Sequence, residues 1–235
     1  MKKLACLFLS MGMLWAADEP DLRMLQQKAA QSRDMEGYVG VCKYLYQTEE
    51  NPELLLLYAD SIHQLATKSK KPEQLVEYYI WASEGNFIKG DFQQGYALKR
   101  KAIALAEKAG LKFAISQSCC DMGYYCNVDA RYDSARYYFR KGLEAGEDLS
   151  EAGEACRTML TNYASSFLFE GKTDSALVYT IRASERSAAD KDTAMLIENL
   201  NQLGTIYRRK KDLENCIANF EQALHLCELR GNHNA

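Results

Sequence analysis

Apolar residues recur along much of this chain at intervals of three and four, the spacing that gathers them on one face of a helix. The stretch from Ile197 to Leu229 shows it most plainly. Leu200, Leu203, Gly204 and Tyr207 share one face, a turn falls at Lys211-Asp212, and Ile217, Phe220, Ala223 and Leu224 share a face of the next segment. Two helices are expected there, each covering the other's apolar side. Gly204, Cys216 and Ala223 stand where close packing leaves no room for a longer side chain. Upstream, helical stretches are expected over Leu22 to Ala30, Met35 to Gln47 and Pro52 to Lys68. The last two flank the turn Glu49-Glu50-Asn51-Pro52, with Pro52 at a favoured first-turn position. Gly37, Gly40, Ala59 and Ser61 suit close packing in this first pair.

The two-helix pattern repeats. A frame starting at Val76 holds Tyr79, Ala82 and Ser83, the turn Gly90-Asp91-Phe92, then Gly95 and Ala102, with Asn86 and Lys99 in place of aromatics. A frame from Ser116 holds Met122, Gly123, the turn Ala130-Arg131-Tyr132, Ala135, Phe139 and Gly142. A frame from Arg157 holds Leu160, Tyr163, Ala164, Phe167, Gly171, Ala176 and Ala183, with Thr180 where an aromatic is usual. The fourth starts at Ile197. Counting from it, Leu200, Leu203, Gly204, Tyr207, Cys216, Phe220 and Ala223 occupy the fourth, seventh, eighth, eleventh, twentieth, twenty-fourth and twenty-seventh places. These positions resemble the tetratricopeptide repeat, and only Cys216, still small, departs from its motif. The spacing is about forty residues against the motif's thirty-four. The surplus lies in Leu105 to Lys112, Glu144 to Gly153 and Ser187 to Asp192, and is expected to lengthen helices and inter-repeat loops.

The expected fold is therefore all-α, a right-handed superhelical solenoid of antiparallel helix pairs. The divisions are a leader over 1–16, a lead-in over 17–34, a degenerate first pair over 35–75, and four repeats over 76–115, 116–156, 157–196 and 197–235. The resemblance implies a concave groove lined by the fifth, ninth, twelfth and thirteenth places. In order these are Ile80, Glu84, Phe87 and Ile88, then Cys120, Tyr124, Asn127 and Val128. Thr161, Ser165, Leu168 and Phe169 come next, then Asn201, Thr205, Arg208 and Arg209. Binding is expected from Tyr124, Asn127, Thr161, Ser165, Asn201, Thr205, Arg208 and Arg209, with the arginines meeting an acidic or carboxylate-bearing partner. The carboxylate clamp of chaperone-binding relatives is not matched by Ile80, Glu84, Asp121, Thr158 and Asn162.

Charge and composition narrow the partner. Lys2 and Lys3 precede an apolar run from Leu4 to Ala17, too short to span a bilayer and ending in small residues before acidic sequence, which is the pattern of a cleaved secretory leader. Cleavage after Ala16 is expected, and an exported, periplasmic or secreted protein with it. The formal charge of −3 then falls to −5 as two lysines leave, and no basic stripe remains for nucleic acid. Lys99-Arg100-Lys101 and Arg208 to Lys211 read as solvated helix ends. Of eight cysteines, seven survive loss of Cys6, and Cys119, Cys126 and Cys216 sit at packing positions. No membrane span is expected in the mature chain.

Catalytic patterns are missing from the sequence: no GxSxG, P-loop, HExxH or zinc-spaced Cys/His set occurs. His63, His225 and His233 have no ligand-type partners in sequence, and no cofactor or metal is implied. The fifteen tyrosines read as packing or groove residues rather than base-stacking platforms. The reading is a non-enzymatic scaffold that binds a protein or peptide; the alternative is the sensor portion of a longer membrane regulator. At the far end, Gly231 to Ala235 reads as a connector, and a further repeat is due near position 237. Ile217, Phe220, Leu224 and Leu226 are thus expected to lack part of their cover, leading either to continuation past Ala235 or to self-association through the last helix.

Overall fold

A computed structural model describes residues 22–49 and 51–232; the leader, Cys6 and the last three residues lie outside them. Among the described residues there is no strand, and the helices are short-linked and succeed one another closely. They are α1 (Leu22–Ser32), α2 (Met35–Thr48), α3 (Pro52–Ser69), α4 (Pro72–Lys89), α5 (Phe92–Ala109) and α6 (Lys112–Val128). Then come α7 (Tyr132–Gly146), α8 (Gly153–Phe169), α9 (Thr173–Ala189), α10 (Thr193–Arg209) and α11 (Leu213–Asn232). A single 3-10 turn, Ser150–Ala152, precedes α8. The first helices of the pairs start four residues ahead of the motif frames, at Pro72, Lys112, Gly153 and Thr193. The surplus residues therefore lengthen both helices of a pair. The expected connector at the end of the chain is helical as far as Asn232, because α11 runs on without a breaker.

Sequence signals place the helix starts. Asp34 accepts the Gly37 N–H at 2.8 Å and Asn51 accepts that of Leu54 at 2.9 Å, each satisfying a donor that a helix leaves free. Pro52 and Pro72 occupy first-turn positions where their missing N–H costs nothing. The four turns inside the later pairs share one hydrogen-bond pattern. Asp91, Arg131, Lys172 and Asp212 donate backbone N–H groups to Asn86, Cys126, Phe167 and Tyr207 at 2.8, 2.8, 2.9 and 3.0 Å. The residue before each donor is left-handed: Gly90 (φ +89°), Ala130 (+57°), Gly171 (+84°) and Lys211 (+61°). This is the six-to-one bond that closes many helices, and only the two glycines adopt it without strain.

The chain forms two compact units that meet in sequence at Leu105, inside α5. In the first, Ala29, Val41, Leu45 and Leu55 form a buried cluster, joined by Leu25, Tyr38, Tyr58 and Ile88. Gly37 is required there, since a Cβ would stand 3.0 Å from the Ala29 Cα. In the second unit, consecutive helices pack on their neighbours in sequence, and small residues meet large ones. A Cβ on Gly123 would overlap the Phe139 ring, and one on Gly204 would lie 2.8 Å from Phe220. The fold is an all-α helical-repeat solenoid of antiparallel neighbours, as the residue pattern led us to expect.

Candidate interaction face

Longer helices change which side chains reach the surface. Of the positions expected to line a groove in the first unit, Ile80, Glu84 and Phe87 are buried and Ile88 packs against the Val41–Leu45 cluster. Glu84 is 2% exposed and pairs with the fully buried Lys99 ammonium. Lys99 is thus no solvated helix end. It fills the place of the motif's aromatic with its methylene stem and delivers its charge to Glu84.

In the second unit the first helices of the pairs, α6, α8 and α10, run side by side, and polar side chains join them. Asn127, 8% exposed, donates from Nδ2 to the Asn162 carbonyl at 3.0 Å. The Thr161 hydroxyl donates to Asn199 Oδ1 at 2.9 Å, and Asn199 Nδ2 donates to Ser187 Oγ of α9 at 3.1 Å. One turn along, Gln202 Nε2 donates to Ser165 Oγ at 2.6 Å while its Oε1 accepts from Thr180 at 3.2 Å. Two parallel polar rungs therefore cross α8, α10 and α9. Satisfied polar groups of this kind fix register, since any slip strands a buried donor or acceptor.

These rungs correct the expected site. Asn127, Thr161 and Ser165 are buried and hydrogen-bonded between helices, so they position the repeats and do not face a partner. Cys120 and Leu168 are buried as well. Arg209 is exposed, yet its Nη1 donates at 2.9 Å to the Leu168 carbonyl, where α8 leaves acceptors unmet. The residues left at the surface are half-buried Tyr124, whose ring meets Tyr125 edge-on, and Val128 and Phe169 at 59% and 58% exposure. Asn201 and Arg208 are exposed and Thr205 is half-buried, its hydroxyl turned back to the Asn201 carbonyl. The structure gathers the ends of α6, α8 and α10 into a face that is apolar at Val128 and Phe169 and basic at Arg208 and Arg209. Asn199 and Gln202 escaped the sequence reading because they lie outside the motif's groove places; their 40-residue offset from Met159 and Asn162 was the available hint.

Charges elsewhere reinforce the joints. Arg157 at the start of α8 reaches Asp190 at 3.1 Å and Asp192 at 2.9 Å, and Arg186 also bonds Asp190 at 2.8 Å. The Arg186 guanidinium, and after it that of Arg157, holds the Asp190 carboxyl below its usual range. Burial raises the Glu198 carboxyl, and Asp192 adds to it. Cys42, Cys119, Cys120, Cys126, Cys156 and Cys216 are buried free thiols; Cys227 is exposed. Burial first, and Glu77 second, push the Cys42 thiol up to about 12, far from reactive. No group of three or more His, Cys, Asp and Glu that could hold a metal ion occurs among the described residues, and none of their helices is long and apolar enough to cross a membrane.

Fold and face together define an all-α helical-repeat protein. Among solved structures, the crystal structure of BtubC (BKLC) from P. vanneervenii is similar, with a TM-score of 0.72 over 89% of this chain and 88% of the other. At 13% identity the likeness is one of fold alone. No family model matches the chain, and no curated protein matches it.

Proposed function

We propose that this chain is an exported, non-enzymatic scaffold of the tetratricopeptide type that holds a protein or peptide against the face formed by the ends of α6, α8 and α10. One observation carries the reading. Glycine meets a phenylalanine ring at the same two motif places in two of the pairs, Gly123 with Phe139 and Gly204 with Phe220. That combination is what the tetratricopeptide motif specifies, and arrays of this kind present a row of first helices to partners. The exposed Phe169 and Val128 supply apolar anchors, and Arg208 supplies the charge for an acidic or carboxylate-bearing segment. Export rests on the Lys2-Lys3 start and the apolar run to Ala17.

The test is photo-crosslinking in cells that export the chain, with a photoreactive residue at Tyr124, Phe169 or Arg208 and, as control, at Val178, exposed on α9. The expected outcome is a discrete adduct from the first three positions and none from Val178. Intact mass of the exported protein should show loss of residues 1–16. Equal adducts from all four positions, or a chain retained uncleaved inside the cell, would contradict the proposal.

A further inference from the structure

The outward side of α11 carries a stripe that the rest of the second unit explains. Leu213, Ile217, Phe220 and Leu224 are 65%, 55%, 38% and 60% exposed, and exposed Cys227 continues their alternation of four and three. Such spacing makes a straight seam along a helix, suited to receiving a second helix. Leu226, in contrast, is half-buried and packs with Leu200, Leu203 and Ala223.

The same register positions are covered in the two preceding pairs. On α7, Tyr132 meets the Phe169 ring of α8 at 6.3 Å, and Arg136 bonds Glu170 at 2.7 Å while lying 4.6 Å from the centre of the Phe167 ring. On α9, Leu177 packs with Ile206 of α10, Thr180 and Ser187 bond Gln202 and Asn199, and Asp174 pairs with Lys210. Leu213, Ile217, Phe220 and Cys227 are the counterparts of Thr173, Leu177, Thr180 and Ser187, and Glu214 is the counterpart of Asp174. Twice within this unit, then, a helix and a charged partner lie where α11 shows water.

Charge selects the occupant. Glu214, Glu221 and Glu228 stand seven residues apart, all exposed, along the edge of the stripe away from α10. A second copy docked about a two-fold axis would run its α11 antiparallel and bring both acidic rows to the same side. Glu221 would then face its twin, and Glu214 would face Glu228, so the self-pairing expected from sequence is opposed along its length. We propose that α11 is a docking strip for an amphipathic helix of a separate protein, with an apolar face bordered by lysine or arginine. The strip is a different face from that of the proposed scaffold function and does not depend on it. A single helix face is small for a protein interface, so the association is reversible and weakens with salt.

Fluorescence anisotropy with two labelled synthetic peptides of about 21 residues, long enough to hold a helix, tests this. Both carry the same Leu/Ala stripe; one is bordered by Lys and the other by Glu. The purified chain should bind the Lys peptide at least tenfold more tightly. Combined Ile217→Glu and Leu224→Glu should abolish binding, and combined Glu214→Lys, Glu221→Lys and Glu228→Lys should invert the preference. All these side chains are exposed, so circular dichroism and melting of the variants should match the parent. Equal affinity for both peptides, or a preference unmoved by charge reversal, would overturn the proposal. So would sedimentation showing a dimer that Ile217→Glu dissociates, because the occupant would then be a second copy.

Discussion

Lys99 occupies a place the repeat motif gives to an aromatic, and its burial against Glu84 shows how one side chain can be replaced by a bonded pair. Removing one member strands the other charge in a dry setting. Lys99→Met is therefore expected to destabilise the chain by about 3–5 kcal/mol, and Glu84→Leu added to it to restore most of the loss, in urea unfolding of the three proteins. Cysteine chemistry tracks burial in the same way. Of the described thiols only Cys227 is exposed, so brief alkylation of the folded, leader-free protein should modify that residue alone, read by peptide mass mapping. Rapid labelling of Cys119 or Cys126 would mean that the α6 packing is wrong.

Helices and turns were the most legible part of the sequence, because they depend on neighbours a few residues apart. Pro52, Pro72, Gly90 and Gly171 mark ends by backbone conformation alone, and the observed helices begin or stop beside them. Less was legible where a residue's role depends on another pair. Thr161 and Ser165 read as groove residues in their own frame, and only Asn199 and Gln202, some forty positions later, turn them inward. Arg209 likewise looked free until the end of α8 came beside it. The turns yield their own test. Asp91 and Asp212 cap α5 and α11 by accepting from Gln94 and Asn215 at 3.1 Å each, whereas Arg131 and Lys172 at the equivalent places give no such bond. Arg131→Asp and Lys172→Asp should each raise stability by about 0.5–2 kcal/mol in thermal melts. A pH titration probes the α8–α10 joint. Because Asp190 has a folded pKa below its ordinary 3.8, its bonds to Arg186 and Arg157 stabilise the fold above about pH 4 and are lost as the pH falls further. Asp190→Asn should consequently flatten the acid side of the stability curve and leave it unchanged in shape near neutrality.

Across the molecule, repetition is what converts ordinary helices into a surface. Each pair buries one flank on its predecessor and offers another, so a small residue facing a large one must recur in step for the next pair to seat. Glycine substitution measures that recurrence directly. Gly123 lies under the fully buried Phe139, Gly204 under Phe220, which is 38% exposed and has room to yield, and Gly40 has no atom within 4 Å of where a Cβ would stand. Thermal melts of Gly123→Leu, Gly204→Leu and Gly40→Leu should therefore be graded. Gly123→Leu should lose about 3 kcal/mol, a fall in Tm of about 6–12 °C; Gly204→Leu should lose less, and Gly40→Leu nothing. Equal melting of all three with the parent chain would contradict the repeat packing on which the proposed interaction face is built.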